Sequence, residues 1–194
     1  KDRSGAERQK AFKAGEWNKY RVLAIGPRIQ TWINDVQIAD TLSPETDKAG
    51  HIGIQVHQIH GKRHLEGAQV RWRNIRLKEM TRPKFTELFN GKDLKNFKTE
   101  GDWQVQKDGV VTLTPRSGDD KGWTRWNSYL WAKKQYSNFI CDFDYKHEKG
   151  GNSGFYFRCS QKDNAFEKGL EIQILDSHGK AKLGHHDAGG LITV

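Results

Sequence analysis

The segment Leu170-Glu171-Ile172-Gln173-Ile174-Leu175 alternates apolar and polar residues, and this period of two governs the reading of the whole chain. A strand sends successive side chains to opposite faces, so the pattern describes a ribbon with one greasy side and one polar side. It recurs at residues 51–57, 69–73, 139–146 and 154–159. Shorter runs at 20–25, 29–33, 36–38, 85–89, 103–105 and 110–113 are separated by turn chemistry such as Gly26-Pro27, Asn34-Asp35 and Asn90-Gly91-Lys92. Asn74-Ile75-Arg76-Leu77 continues one run with a slipped phase, which predicts a bulge. No stretch keeps a helical period. About ten short strands at turn-rich spacing predict an all-β chain, an antiparallel β-sandwich of jelly-roll type.

At 194 residues the chain is long enough for one domain with a real core. Residues 1–15 read as a polar arm or loop, and 81–84, with Pro83, as a connector. Twenty Gly against four Pro suits strands and turns, and seven Trp argue against disorder despite a mean hydropathy of −0.88. No apolar run is long enough to cross a bilayer as a helix, so no membrane span is expected. Lys1 opens no charged-then-apolar leader, so an export signal would lie outside these residues. The net charge of +9 raises a polyanion, but the excess is scattered among core positions, as at Arg71, Arg73 and Arg76. A solvated basic surface with no nucleic-acid partner is therefore expected. Cys141 and Cys159 fit neither a disulfide scaffold nor a metal site; buried thiols are the expectation, with one disulfide if their strands are neighbours.

The alternation assigns faces. Phe155, Phe157 and Cys159 should oppose Tyr156 and Arg158; Leu170, Ile172 and Ile174 should oppose Glu171 and Gln173; Ile52, Ile54 and Val56 should oppose Gln55 and His57. Phe139, Cys141, Phe143 and Tyr145 likewise oppose Asp142 and Asp144. The polar set, Tyr156, Arg158, Glu171, Gln173, Gln55 and His57, is rich in planar groups with several donors and acceptors. Such groups match sugar hydroxyl pairs, and an aromatic ring matches a sugar's C–H face. An ordinary solvated sheet face is the competing reading. Gly150-Gly151-Asn152-Ser153-Gly154 leads into the strand carrying Arg158, and its glycines would let a ligand approach backbone, with Asn152 as an added polar group. His178, His185, His186 and Asp187 cluster late in the chain, but their spacing does not support a metal site. One of these histidines lining the polar face is the preferred reading, and no metal or cofactor is expected.

Several stretches together resemble the 3-keto-disaccharide hydrolase domain family. They are Phe89-Asn90-Gly91-Lys92-Asp93-Leu94, residues 150–158 (GGNSGFYFR), residues 170–176 (LEIQILD), Gly15-Glu16-Trp17-Asn18 with Tyr20-Arg21, residues 50–55 (GHIGIQ) and residues 73–79 (RNIRLKE). The resemblance implies a concanavalin-A/laminin-G-like sandwich. It also implies an exchanged order: in the family the FNGKDL-type stretch comes first and the RNIRLKE-type stretch last. Here residues 1–80 resemble the family's late half and 85–194 its early half. The chain is then a circular permutant or a slice across tandem copies. Its length favours one sandwich built from both halves, closed within one chain or as a homodimer by strand exchange.

The resemblance implies cleavage of glycosides in which ring carbon C3 is a ketone, with a carbohydrate as partner and a periplasmic or extracellular location. A 3-ketone acidifies the C2 proton, so a base can start elimination of the glycosidic group, after which water adds. That chemistry asks for a base close to C2–H and donors where enolate charge develops. Glu171 is the candidate base, with His57 and His186 as candidate proton donors to the leaving group. Asn152, Tyr156, Arg158, Gln173, Gln55 and Asp176 are candidate substrate-binding residues, with Arg158 and Gln173 facing the enolate oxygen. An ion pair with Arg158 is the competing role for Glu171. A two-carboxylate glycosidase ranks lower, because only Glu171 clearly lies on this face. A non-catalytic carbohydrate-binding module is the alternative from another class.

Overall fold

The computed structural model describes residues 10–56, 69–82, 84–113, 129–180 and 183–192. The strands are β1 (Asn18–Ile25), β2 (Arg28–Ile33), β3 (Val36–Leu42), β4 (Gly50–Val56), β5 (Val70–Glu79), β6 (Thr86–Glu87) and β7 (Phe97–Lys98). They continue with β8 (Trp103–Val105), β9 (Val111–Leu113), β10 (Tyr129–Tyr136), β11 (Phe139–His147), β12 (Asn152–Cys159), β13 (Leu170–Leu175) and β14 (Leu191–Ile192). They build two antiparallel sheets. The larger has the order β3-β2-β1-β11-β5-β9-β8, with β6 also pairing β5; the smaller has the order β14-β13-β12-β4-β10-β7. The fold is the expected all-β sandwich.

Local chemistry explains the connections. The β2–β3 hairpin turns on Asn34 and Asp35, both with left-handed backbone (φ 47° and 66°), which a two-residue hairpin turn requires and these residue types tolerate. The phase slip at Asn74 is a bulge: Asp142 pairs with Arg76 but Asp144 with Arg73, and Asn74 takes a φ of 54°. Between the sheets the inward residues of β1, β11, β5, β12 and β13 fuse into one apolar core, with Tyr20, Trp72, Phe143 and Phe155 essentially inaccessible. Full burial of a side chain such as Ile172 or Ile174 contributes about 1.5–3 kcal/mol, and this layer fixes which face of each strand remains for other work.

The two parts of the chain interleave. Strand β11, from the later part, lies between β1 and β5; strand β4, from the earlier part, lies between β12 and β10. All this pairing occurs within one chain. The 81–84 connector joins β5 to β6, which pair through Arg76–Glu87 and Leu77–Thr86.

Three details depart from the sequence reading. Strand β10 was not expected, because its alternation fails after Trp131: Trp131 pairs with Gly53 and Gln135 with His51, so two extra residues bulge out. The phase of β12 also breaks. Tyr156 pairs with Gly53 but Cys159 with His51, and Arg158 absorbs the extra residue with a left-handed φ of 51°. Cys159 therefore packs beside Tyr156 and Tyr129, not in the main core. Both thiols are free and buried, so the disulfide alternative falls. Burial pushes the Cys159 thiol up to about 11.

Candidate functional site

The outer face of the smaller sheet carries two transverse rows across β13, β12, β4 and β10. One row is Gln173–Gly154–Gln55–Tyr129; the next is Glu171–Tyr156–Gly53–Trp131. Each row contains a glycine, and the glycines make room for large neighbours. A Cβ on Gly53 would collide with the Trp131 indole, and one on Gly154 with the Glu171 carboxyl. Glu171 consequently lies folded over Gly154 towards the middle of the sheet. The expected parity holds for Gln55, Tyr156, Glu171 and Gln173, and all four are buried.

Polar groups on this face are linked to one another. Tyr156 donates its hydroxyl to Glu171 Oε2 at 2.6 Å, and Gln55 Nε2 donates to the Tyr129 hydroxyl at 3.2 Å. Burial, then the neighbouring Glu171 charge, push the Tyr156 phenol well above its ordinary value, so it remains a donor. Gln173 Oε1 accepts from the Ile174 amide at 3.0 Å, which fixes the side-chain amide with Nε2 left for another acceptor. Tyr129 stacks on Trp131 (4.8 Å between centroids) and meets Tyr156 edge-on (5.1 Å). Gln55 Oε1, Asn152 Oδ1 and Trp131 Nε1 are buried without a hydrogen-bond partner. Eight other such atoms lie elsewhere among the described residues, so it is the position of these three beside the carboxylate that bears on ligand binding.

Arg158 does not join this face, contrary to expectation. The bulge sends its side chain the other way, where Nη2 donates to the carbonyls of Gly26 (2.8 Å) and Ser137 (3.0 Å) and lies 3.6 Å from Asp47. The side chain is wholly inaccessible, and burial pulls the guanidinium below its ordinary value. It ties the β1–β2 and β10–β11 turns together. The alternative role for Glu171, an ion pair with Arg158, falls with it; Tyr156 is a hydrogen-bond partner of the carboxylate.

Other candidates are placed as follows. Asn152 opens β12 on the same parity as Tyr156, opposite Leu175. Asp176 is occupied in bracing the glycine loop: its carboxylate accepts from the Gly150 and His178 amides, and its own amide donates to the Gly151 carbonyl. His57 lies outside the described residues. His186 is exposed on the loop before β14, its ring 4.1 Å from that of His185. Asp187 braces this loop, accepting from Ser177 Oγ (3.1 Å), the Gly184 amide (2.8 Å) and Lys180 Nζ. Burial alone would raise the Asp187 carboxyl, but these donors outweigh it and hold it below its ordinary value. The loop is bound to the site strand, since the Gly189 amide donates to the Gln173 carbonyl and the Gln173 amide to the Gly190 carbonyl. Asp142 and Asp144 lie on the outer face of the other sheet, paired with Arg21, Arg76 and Arg73.

Sequence reasoning missed Tyr129, Trp131 and the part played by Gly53. The alternation Tyr129-Leu130-Trp131 was a usable signal, as was a glycine at an outward position between Ile52 and Ile54.

One family profile, described as the 3-keto-alpha-glucoside-1,2-lyase-like domain, matches residues 1–78 and 84–194, which is nearly the whole chain in two stretches. No curated protein matches the sequence. The break between the stretches falls at the connector that joins β5 to β6. The two-sheet sandwich, with its polar outer face, agrees with the concanavalin-like fold of that carbohydrate-active family. On this match, the chain belongs to the 3-keto-alpha-glucoside-1,2-lyase-like domain family.

Proposed function

We propose that the protein cleaves 3-keto-glycosides, disaccharides among them, by base-initiated elimination on the outer face of the smaller sheet. The observation that carries this reading is a single carboxylate set among amides and aromatic rings. Among the described outward positions of β4, β10, β12 and β13, Glu171 is the one acidic residue. A conventional glycosidase needs two facing carboxylates, whereas removal of an acidified C–H proton needs one base.

In the proposed step Glu171 takes the C2 proton of the keto sugar. The C–H electron pair forms the C2–C3 double bond of an enolate, whose charge rests on the C3 oxygen. The enolate then collapses to restore the ketone, a C1–C2 double bond forms, and the glycosidic C1–O bond breaks. The leaving alkoxide takes a proton from His186 or His57, and water added across the new double bond completes hydrolysis. Tyr156 holds the carboxylate, Gln173 Nε2 supplies a donor for the enolate oxygen, and Tyr129 and Trp131 offer rings for the sugar's apolar faces. Gln55 and Asn152 have acceptors to spare for hydroxyls. An exported, periplasmic or extracellular location belongs to the same reading.

The test is turnover of a 3-keto-disaccharide and of its unoxidised parent by wild type and Glu171→Gln. Wild type should cleave only the oxidised sugar, and the variant should lose about 10²–10⁴-fold in kcat while still binding it. Binding without cleavage by wild type would make the protein a carbohydrate-binding module instead.

A further inference from the structure

On the opposite side of the sandwich, the outer face of the larger sheet holds a cavity of about 340 Å³ lined by Arg21, Leu23, Trp32, Asp35 and Ile140. Its floor is apolar, because Leu23 and Ile140 pair across β1 and β11 while Trp32 pairs with Arg21 across β2 and β1. Trp32 differs from the other described tryptophans. Arg73 caps Trp17 at 4.0 Å, Trp72 and Trp131 sit in ring clusters, and Trp103 is buried. Trp32 is half-buried and has no ring or cation partner among the described residues.

The polar rim is set by pairing that leaves hydrogen-bonding capacity over. Arg21 spends Nε and Nη2 on the two oxygens of Asp142, at 2.6 and 2.8 Å, and Asp142 is itself only 3% exposed in its side chain. That fork locks the guanidinium plane and leaves Nη1 unspent. Asp35 projects from the β2–β3 turn, 86% exposed in its side chain and 3.8 Å from Lys19 Nζ. Asp142 answers Arg21, and Lys19 lies beside Asp35, so the rim of the cavity is made of ion pairs. It offers an indole face, an oriented donor edge and an acceptor, in a volume within the roughly 300–1,000 Å³ of small-ligand sites.

We propose that this cavity is a second carbohydrate-binding site, taking a pyranose unit of an ordinary, unoxidised saccharide with its C–H face on Trp32 and its hydroxyls on Arg21 and Asp35. It goes beyond the function proposed above and does not depend on Glu171. Such a site would hold a glycan on the reverse face while the other face works on an oxidised sugar.

The experiment is a titration of indole-¹⁵N-labelled protein with maltose, cellobiose and trehalose. It follows the Trp32 Nε1–H resonance, assigned with Trp32→Phe, beside that of Trp131. The Trp32 resonance should shift saturably with at least one disaccharide, in wild type and Glu171→Gln alike. Read by calorimetry, since the variant has no Trp32 resonance, Trp32→Ala should weaken that binding about tenfold and Asp35→Ala severalfold, with 3-keto-disaccharide turnover unchanged. A Trp32 resonance unmoved at about 0.1 M of each sugar overturns the proposal, as does a shift whose affinity survives Trp32→Ala. Self-association abolished by Trp32→Ala overturns it too, since the face then covers a second copy. A response at Trp131 without one at Trp32 defeats this inference and leaves the Glu171 reading standing; a response at Trp32 alone supports this inference, and the Glu171 reading then stands or falls on turnover of the oxidised sugar.

Discussion

Substituting Gly154 by Ala isolates the contact on which the placement of Glu171 rests. Gly154 does not have a left-handed φ, so alanine meets no backbone penalty there. Its Cβ would stand 2.8 Å from Glu171 Cδ and 3.0 Å from Cγ, against the roughly 3.5–4.0 Å that carbon atoms prefer. The carboxyl must retreat by about 1 Å, while Tyr156 holds its other oxygen at 2.6 Å. Overpacking of this kind costs about 1–3 kcal/mol. With Glu171→Ala already in place the collision is gone, and Ala for Gly in a strand should be neutral or stabilise by about 0.5–1 kcal/mol. A double-mutant cycle by urea unfolding should therefore give a coupling of about 1–4 kcal/mol. Turnover by Gly154→Ala should fall about 10²-fold in kcat, as expected for a base displaced by an ångström. Additivity within about 0.5 kcal/mol would refute the reasoning, because the two residues would then not share space.

Three further outcomes test other parts of the account. Burial alone would raise the Asp142 carboxyl, but hydrogen bonds and charge from Arg21 and then Arg76 hold it below its ordinary value. A depressed carboxyl stabilises the fold above its unfolded value of about 3.9 and loses that contribution as pH falls through the folded value. Asp142→Asn should thus cost about 1–2 kcal/mol in urea melts at pH 7, at the low end because both arginines are exposed, with the deficit shrinking below pH ~4. Arg158→Lys loses the planar fork that spans the Gly26 and Ser137 carbonyls, so thermal melts should show about 2–3 kcal/mol of destabilisation, while KM for a 3-keto-disaccharide stays unchanged; a large KM increase would return Arg158 to the sugar site. We further propose that residues 1–80 and 85–194 form one sandwich. Separately expressed fragments should then give no cooperative melt alone and recover one on mixing, and a cooperative melt by either fragment alone would contradict this.

The legible part of the fold was the part governed by strict alternation. In β13 nothing interrupts Leu170-Glu171-Ile172-Gln173-Ile174, so core and site sides could be assigned from residue type, and they hold. The Asn74 bulge was also legible, because it moved apolar residues visibly out of phase and used a residue that tolerates left-handed backbone. The Arg158 bulge left no such trace. Residues 154–159 read as unbroken alternation, and an arginine is not a residue type that signals a positive φ; only packing of the turns at Gly26 and Ser137 against it explains the conformation. Strand β10 was hidden for the opposite reason, since Lys133, Lys134 and Gln135 are all exposed and the period of two fails there. With it went the aromatic pair Tyr129 and Trp131. The link between Tyr156 and Glu171 lay beyond sequence as well, because it depends on which residues of β12 and β13 stand opposite each other.

The most direct measurement is the isotope effect on cleavage of a 3-keto-disaccharide carrying deuterium at C2 of its oxidised ring. If Glu171 removes that proton, as the arrangement with Tyr156, Gly154 and Gln173 is proposed to permit, kcat/KM should show a normal primary effect, and Glu171→Gln should lower kcat about 10²–10⁴-fold. Cleavage with no effect at C2 that also survives the substitution would contradict the account, since bond breaking would then start elsewhere.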